Sequence, residues 1–232
     1  MAEILGVNVD CVTMNKAVAK VEELIANKKP SLVATANAEM LMLANSDLEL
    51  QKILNSAAMV TPDGAGTVWA ARHLGYEMPE RVAGVDLVTN LFSKGYKFYF
   101  FGAAEGVAEL AAQNAQKNFE ANIVGTRNGF FNTDDEPAII DAINNSGAEI
   151  LLVGLGVPKQ EKWIFNNLDK LKVPVSIGVG GTFDVLAGKV KRAPKWMQRA
   201  KLEWLFRALL QPSRAGRLIA LPKFVYNVVK SN

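Results

Sequence analysis

Apolar positions in the first 188 residues follow two alternating patterns. Short, nearly unbroken apolar runs occur at Ser31–Thr35 (SLVAT), Ala58–Thr61 (AMVT), Lys97–Phe101 (KFYFF), Asn122–Val124, Ile150–Val153 (ILLV) and Val173–Ile177. Runs of this kind suit strands covered on both faces. Between them lie stretches with helical periodicity, at about 13–27, 38–56, 64–75, 85–94, 104–119, 135–145, 158–170 and 182–188. Two helix starts carry a hydroxyl and a carboxylate three apart, Ser46-Asp47-Leu48-Glu49 and Thr133-Asp134-Asp135-Glu136, and read as capping boxes. The alternation predicts an α/β fold, a Rossmann-like and mostly parallel sheet with helices on both faces. A ligand is then expected at the carboxyl ends of the strands.

The pattern changes after Gly188. Residues 194–210 (PKWMQRAKLEWLFRALL) read as a helix that interleaves Trp196, Arg199, Trp204 and Arg207. Pro212 opens a new segment, and residues 213–232 read as helical despite Pro222. The chain thus divides into an α/β body, 1–188, and a helical appendage, 189–232. Charge divides it at the same place. The body carries 15 Lys/Arg against 22 Asp/Glu, whereas the appendage carries 11 Lys/Arg against Glu203 alone. The net charge of +3 therefore describes neither part. A basic, aromatic-rich tail on an acidic body suggests an anionic partner: a membrane surface, a phosphorylated ligand or nucleic acid. Nucleic acid is the poorest fit, because the positive charge is confined to a hydrophobic tail.

Composition adds less. The single cysteine, Cys11, cannot form a disulfide within the chain, which fits a reducing, cytoplasmic setting. The opening MAEILGVNVD lacks the basic and apolar regions of a cleaved signal, and no apolar run approaches the ~20 residues that span a bilayer. A cytoplasmic protein, peripheral on the membrane, is expected.

Candidate chemistry gathers at strand ends. Thr35-Ala36-Asn37-Ala38-Glu39 follows one strand and opens a helix, so Asn37 either caps that helix or meets a ligand. Thr61-Pro62-Asp63-Gly64-Ala65-Gly66 follows another; its glycines allow close backbone approach. Asp63 is there either a helix cap or a general base. Phe101-Gly102-Ala103-Ala104-Glu105-Gly106 makes a glycine turn without the GxGxxG spacing of a dinucleotide fingerprint. Two further glycine turns, around Gly156 and around Gly180 and Gly181, suit a backbone-lined phosphate or sugar pocket. Lys159 and Gln160 follow the first of these and Asp184 the second.

His73 is the only histidine and lies within a helical pattern. No HExxH, CxxC, Walker GxxxxGK[ST] or Asp-x-Asp motif occurs, so no metal site is expected. A leaving diphosphate must then be met by arginine or lysine. Arg207, Arg214 and Arg217 stand in FRALLQPSRAGR, with the last two on one helical face. A solvated or lipid-facing basic surface is the alternative for them.

The blocks TANAEM, TPDGAG, RVAGVDL, GLGVPKQEKWI, GVGGTFDVLAGKVKRAP and LEWLFRALLQPSR, in this order, resemble the WecG/TagA/CpsF family, the N-acetylmannosaminyltransferase-like enzymes of glycosyltransferase family 26. The resemblance implies an inverting, metal-independent transfer from a UDP-sugar to undecaprenyl-diphosphate-linked N-acetylglucosamine at the cytoplasmic membrane face, in teichoic-acid or surface-polysaccharide synthesis. It implies UDP-N-acetylmannosamine as donor, with UDP-N-acetylmannosaminuronate or another UDP-hexose as alternatives. It places Asp63 as general base and Thr35 and Asn37 in the substrate pocket, while the strand-end turns add Gly64, Gly102, Gly156, Lys159, Gly180, Gly181 and Asp184 as candidate substrate contacts. Arg81 and Gln160 match residues expected to contact the donor, and Arg207, Arg214 and Arg217 match arginines expected to close over the diphosphate. The family's proline between Thr35 and Asn37 is Ala36 here. No cofactor is implied. The tail is expected to dock on the membrane and to support a concentration-dependent homo-oligomer. Its deletion after about Lys195 is expected to abolish activity and membrane binding while the body stays folded. A nicotinamide-dependent oxidoreductase and a non-enzymatic membrane-binding module are the rival readings.

Overall fold

The structure, a computed structural model, describes residues 1–194, 196, 197, 206 and 216–231, with backbone alone at 216–220. The chain opens with a small antiparallel hairpin, β1 (Ala2–Ile4) and β2 (Val7–Val9), which the hydrophobic pattern did not disclose. The elements after it are α1 (Met14–Asn27), β3 (Ser31–Ala36), α2 (Ala38–Ala44), α3 (Leu48–Ser56), β4 (Met59–Pro62), α4 (Ala65–His73) and α5 (Gly84–Phe92). Next come β5 (Lys97–Gly102), α6 (Val107–Phe119), β6 (Asn122–Arg127), a 3-10 turn (Thr133–Asp135), α7 (Glu136–Asn145), β7 (Ile150–Gly154), α8 (Lys159–Asn167), β8 (Val175–Gly178) and α9 (Thr182–Leu186). A last helix, α10, spans Gly216–Lys230 and runs through Pro222.

All six strands expected from the sequence enter one sheet, in the order β4-β3-β8-β7-β5-β6, and every pairing is parallel. Burial explains the unbroken apolar runs. One face of the sheet, with Val33, Phe98, Phe100 and Ile177, packs on α1, α5, α6 and α9. The other, with Leu32, Phe101, Leu151 and Val153, packs on α7 and α8. A third cluster joins the hairpin, α2, α4 and α10 to the end of the sheet at β3 and β4.

Helix boundaries differ from the sequence reading where capping decides them. The expected helix 38–56 is two helices, and Asp47, not Ser46, caps the second by accepting the Leu50 N–H at 3.0 Å. Asp47 and Glu49 also hold Lys162 of α8 at 2.8 and 2.6 Å. The second capping box starts one residue early: Asn132 caps the 3-10 turn and its N–H donates to the Asp135 carboxylate at 2.9 Å.

The appendage departs most from expectation. Residues 194–210 lie outside the described residues except Pro194, Trp196, Met197 and Phe206. The helix expected at 213–232 is observed as α10, and it is not peripheral to the body. Phe224 and Val228, one turn apart, are fully buried against α2 and α4. The final helix therefore completes a core that the division at residue 188 assigned to the body alone.

Candidate active site

A parallel sheet delivers all its carboxyl ends to one edge, where the turns that leave the strands can meet a ligand. Here β4 leads into Asp63, β3 into Asn37, β8 into the turn at Gly180 and β7 into the turn at Gly156, on four adjacent strands. Gly102 ends β5, four strand spacings from β4, or about 19 Å across the sheet.

Asp63 is half-buried and does not cap the helix that follows it. The N-cap of that helix, α4, is Gly64 (φ 103°), which has no side chain to accept a first-turn N–H. The Asp63 carboxylate instead accepts the N–H of Gly84, the first residue of α5, at 3.4 Å. It so faces the positive end of a nine-residue helix, an interaction worth about 0.3–1 kcal/mol for a carboxylate. Its backbone N–H donates to the Ala36 carbonyl at 2.9 Å, which binds the β4 turn to the β3 turn. The Thr67 hydroxyl donates to the same carbonyl at 3.0 Å.

Asn37 caps α2, its side-chain oxygen accepting the Met40 N–H at 3.0 Å. This occupies the oxygen and leaves the choice between cap and ligand contact to the amide NH₂. Thr35 is buried, and its hydroxyl donates to the Gly178 carbonyl at 3.0 Å, tying β3 to β8. A Cβ on Gly84 would stand 3.1 Å from the Thr35 methyl, so β3 and α5 are in close contact behind Asp63.

The glycine turns divide by role. Gly102 has φ 128°, and a Cβ there would lie 2.5 Å from the Gly154 carbonyl group, so glycine is required by the approach of β5 to β7. Packing alone accounts for this glycine, in keeping with a tight structural turn. Gly156 (φ 81°) and Gly180 (φ 50°) have nothing within 4 Å of a Cβ among the described residues. Their N–H groups nevertheless do not point at a ligand. Both donate to the side-chain oxygen of Gln160, at 3.2 and 3.0 Å. Gln160 is correspondingly buried beneath the turns, where the sequence reading had it facing the donor. Its amide NH₂ donates to Glu161 at 2.7 Å. Glu161 is fully buried, and burial pushes its carboxyl from the usual value up to about 7, a rise that the hydrogen bonds from Gln160 and a backbone N–H moderate.

Lys159 is exposed at the start of α8, Gly181 precedes α9, and Asp184 is half-buried in the first turn of α9. Arg81 is half-buried beside Asp86 at 3.6 Å. Arg192 makes a bidentate pair with the same carboxylate, at 2.6 and 3.1 Å. This pair pins the segment after α9 to the first turn of α5, two residues beyond the Gly84 that meets Asp63. Arg207 and Arg214 lie outside the described residues, and Arg217 lies in the part of α10 described as backbone only.

Asp86, Arg192 and Glu161 were not singled out in the sequence. The first two are 106 positions apart, which no local pattern connects. Glu161 had the guise of an ordinary first-turn acid. His73 is exposed and stacks on Trp69 at 5.2 Å, remote in role from these turns. Among the described residues, no three His, Cys, Asp or Glu gather as ligands for a metal ion. Nor is any helix among them long and apolar enough to cross a membrane.

Comparison with known proteins gives the family. The model of the glycosyl transferase WecG/TagA/CpsF family matches residues 2–232. The chain is 30% identical, over 99% of its length and 92% of the relative's, to the N-acetylglucosaminyldiphosphoundecaprenol N-acetyl-beta-D-mannosaminyltransferase of Staphylococcus aureus strain NCTC 8325 / PS 47. The protein of that name from strain COL matches equally.

Proposed function

The chain belongs to the WecG/TagA/CpsF family and is a glycosyltransferase, and we propose that it moves N-acetylmannosamine from a UDP-sugar to N-acetylglucosamine on undecaprenyl diphosphate. The acceptor follows the name of the S. aureus relative, which covers the chain from end to end. The observation that carries the mechanism is Asp63: a carboxylate at the carboxyl edge of the sheet, on β4, held by α5 instead of being used as a cap for α4.

In the proposed reaction Asp63 takes the proton from an acceptor hydroxyl. The acceptor oxygen attacks the anomeric carbon of the donor from the face opposite UDP. The new glycosidic bond forms as the bond to the β-phosphate oxygen breaks, and UDP carries away the electron pair. Attack from the opposite face inverts the anomeric centre; an α-linked donor then gives a β-linked product, consistent with the linkage in the relative's name. General-base assistance of this kind contributes roughly 10²–10⁴-fold.

Positive side chains meet the charge on UDP. Arg81 stands beside the β4 turn, and Arg207, Arg214 and Arg217 are the tail's candidates for closing over the diphosphate. Without an Asp-x-Asp pair in the sequence, arginine in place of a divalent ion is the simplest source of that charge. The basic, aromatic tail suits a peripheral position on an anionic membrane, where each Lys or Arg near the surface adds about 1 kcal/mol. That position also brings the enzyme to a lipid-linked acceptor.

The test is UDP release by the purified protein in EDTA, with a short-chain polyprenyl-diphosphate N-acetylglucosamine acceptor and a panel of UDP-sugars. Release that requires both substrates and is fastest with UDP-N-acetylmannosamine supports the reading. Preference for UDP-N-acetylmannosaminuronate would reassign the donor, and activity restored only by added Mg²⁺ or Mn²⁺ would refute metal independence.

A further inference from the structure

Glu161 has no part in the chemistry above, yet it lies fully buried directly beneath the two glycine turns. One carboxylate oxygen, Oε1, accepts the Gln160 amide at 2.7 Å, and the other, Oε2, is buried without a hydrogen-bond partner among the described residues. A carboxyl is costly to place in such a site, and burial drives its pKa to about 7.

Its geometry fixes its neighbour. A glutamine side chain can present either its oxygen or its NH₂ in a given direction, since the two ends are nearly isosteric. Ionised Glu161 can only accept, so it draws the NH₂ of Gln160 to itself. The Gln160 oxygen is thereby turned to the N–H groups of Gly156 on the β7 turn and Gly180 on the β8 turn. Reversed, the amide would set its NH₂ against two other donors. The strand above is shaped for this pair. A Cβ on Gly178 would stand 2.8 Å from both Gln160 Nε2 and Glu161 Oε1. At both clamped glycines a Cβ would meet no atom of the described residues within 4 Å.

We propose that Glu161 is a positioning residue for the donor site: by orienting Gln160 it locks the β7 and β8 turns into one rigid floor on which the UDP-sugar rests. The proposal rests on the donor reading given above. The residue touches no substrate; it acts through Gln160 and two backbone N–H groups.

UDP binding by calorimetry, donor KM and kcat, thermal midpoint, and amide hydrogen exchange at Gly156 and Gly180 test it in the full-length protein. Glu161→Gln keeps a side-chain oxygen to accept from Gln160, and its affinity for UDP stays within about threefold of wild type. Glu161→Met keeps the volume and loses the acceptor. It binds UDP about tenfold or more weakly and raises KM in proportion, with kcat little changed and faster exchange at both glycines, the size expected when a hydrogen bond to a charged group is lost. Removal of the buried carboxyl and loss of the Gln160 acceptor act on its thermal midpoint in opposite directions, so KM and exchange carry the reading; a purely structural role would spare KM. If the Met variant does not fold, Glu161→Ser, which admits water, is read in the same way. Wild-type affinity and wild-type exchange in the truncated variants would overturn the proposal, as would a fall in kcat at unchanged KM. Failure of the wild type to bind UDP would instead remove the donor reading, and exchange at Gly156 and Gly180 would then decide the clamp by itself.

Discussion

The burial of α10 makes a specific claim about Phe224. This ring is 1% exposed, sits one turn from the fully buried Val228, and belongs to the buried cluster that includes Ala38, Leu41, Val68 and Ala71 of α2 and α4. It also comes within 3.7 Å of where a Cβ on Gly66 would stand, in the first turn of the helix that follows Asp63. Truncating a buried phenylalanine to alanine typically costs about 3–5 kcal/mol. A helix that detaches does not enclose a cavity, so the lower figure is expected, about 3 kcal/mol. In a protein of this size that lowers the thermal midpoint by about 6–12 °C. Calorimetry of Phe224→Ala measures it, and hydrogen exchange over 216–231 reports whether α10 comes free. The same variant should lose activity, since its cavity borders the turn carrying Asp63. A midpoint within about 2 °C of wild type, with exchange over 216–231 unchanged, would refute the claim that α10 belongs to the core.

Other consequences are equally open to measurement. Deleting the chain after Lys195 removes Phe224 and Val228 from the core; the remaining body is expected to be destabilised and prone to aggregation instead of intact, as light scattering and circular dichroism would show. Thr35→Val leaves the buried Gly178 carbonyl without its donor and should cost about 1–3 kcal/mol in denaturant unfolding, with a smaller loss signalling that water replaces the hydroxyl. Glu161 gives a pH signature. Its folded pKa of about 7 exceeds the unfolded value, so its contribution to stability is fully present below about pH 4.5 and is lost as pH rises through 7. Wild type should therefore unfold more easily at pH 8 than at pH 5.5, by at most about 3 kcal/mol, and Glu161→Gln should remove that difference. Equal slopes in the two proteins would place the titration elsewhere.

Much of the fold was legible because parallel strands buried on both faces leave an unmistakable record. ILLV has no polar position to suggest an exposed face and KFYFF has one only at its first residue, Lys97, and both are central strands. The hairpin at 2–9 left no such record: strands of three residues are too short for a period to register. The break in 38–56 turned on whether Ser46 or Asp47 made the cap, and Lys162, from a distant helix, favours the aspartate. The strand-end turns could be located from glycine and polar residues, but their roles could not be read. Gly102 and Gly156 look alike in sequence, yet one is required by a neighbouring backbone and at the other a Cβ would meet no atom of the described residues within 4 Å. Gln160 occupies a position next to a turn that suggests ligand contact, while the fold turns it inward. The Asp86–Arg192 pair depends on a crossing of the chain that sequence spacing does not encode. The tail's composition announced a basic, aromatic segment, but the burial of Phe224 and Val228 follows from how α10 meets α2 and α4.

The central claim is that Asp63 is the base in a glycosyl transfer. Steady-state UDP release by Asp63→Asn, with both substrates present, tests it most directly, since the substitution preserves size and removes the basic oxygen. The account expects kcat to fall by roughly 10²–10⁴-fold while UDP affinity and the thermal midpoint stay near those of wild type. Turnover close to wild type in a folded Asp63→Asn protein would contradict it.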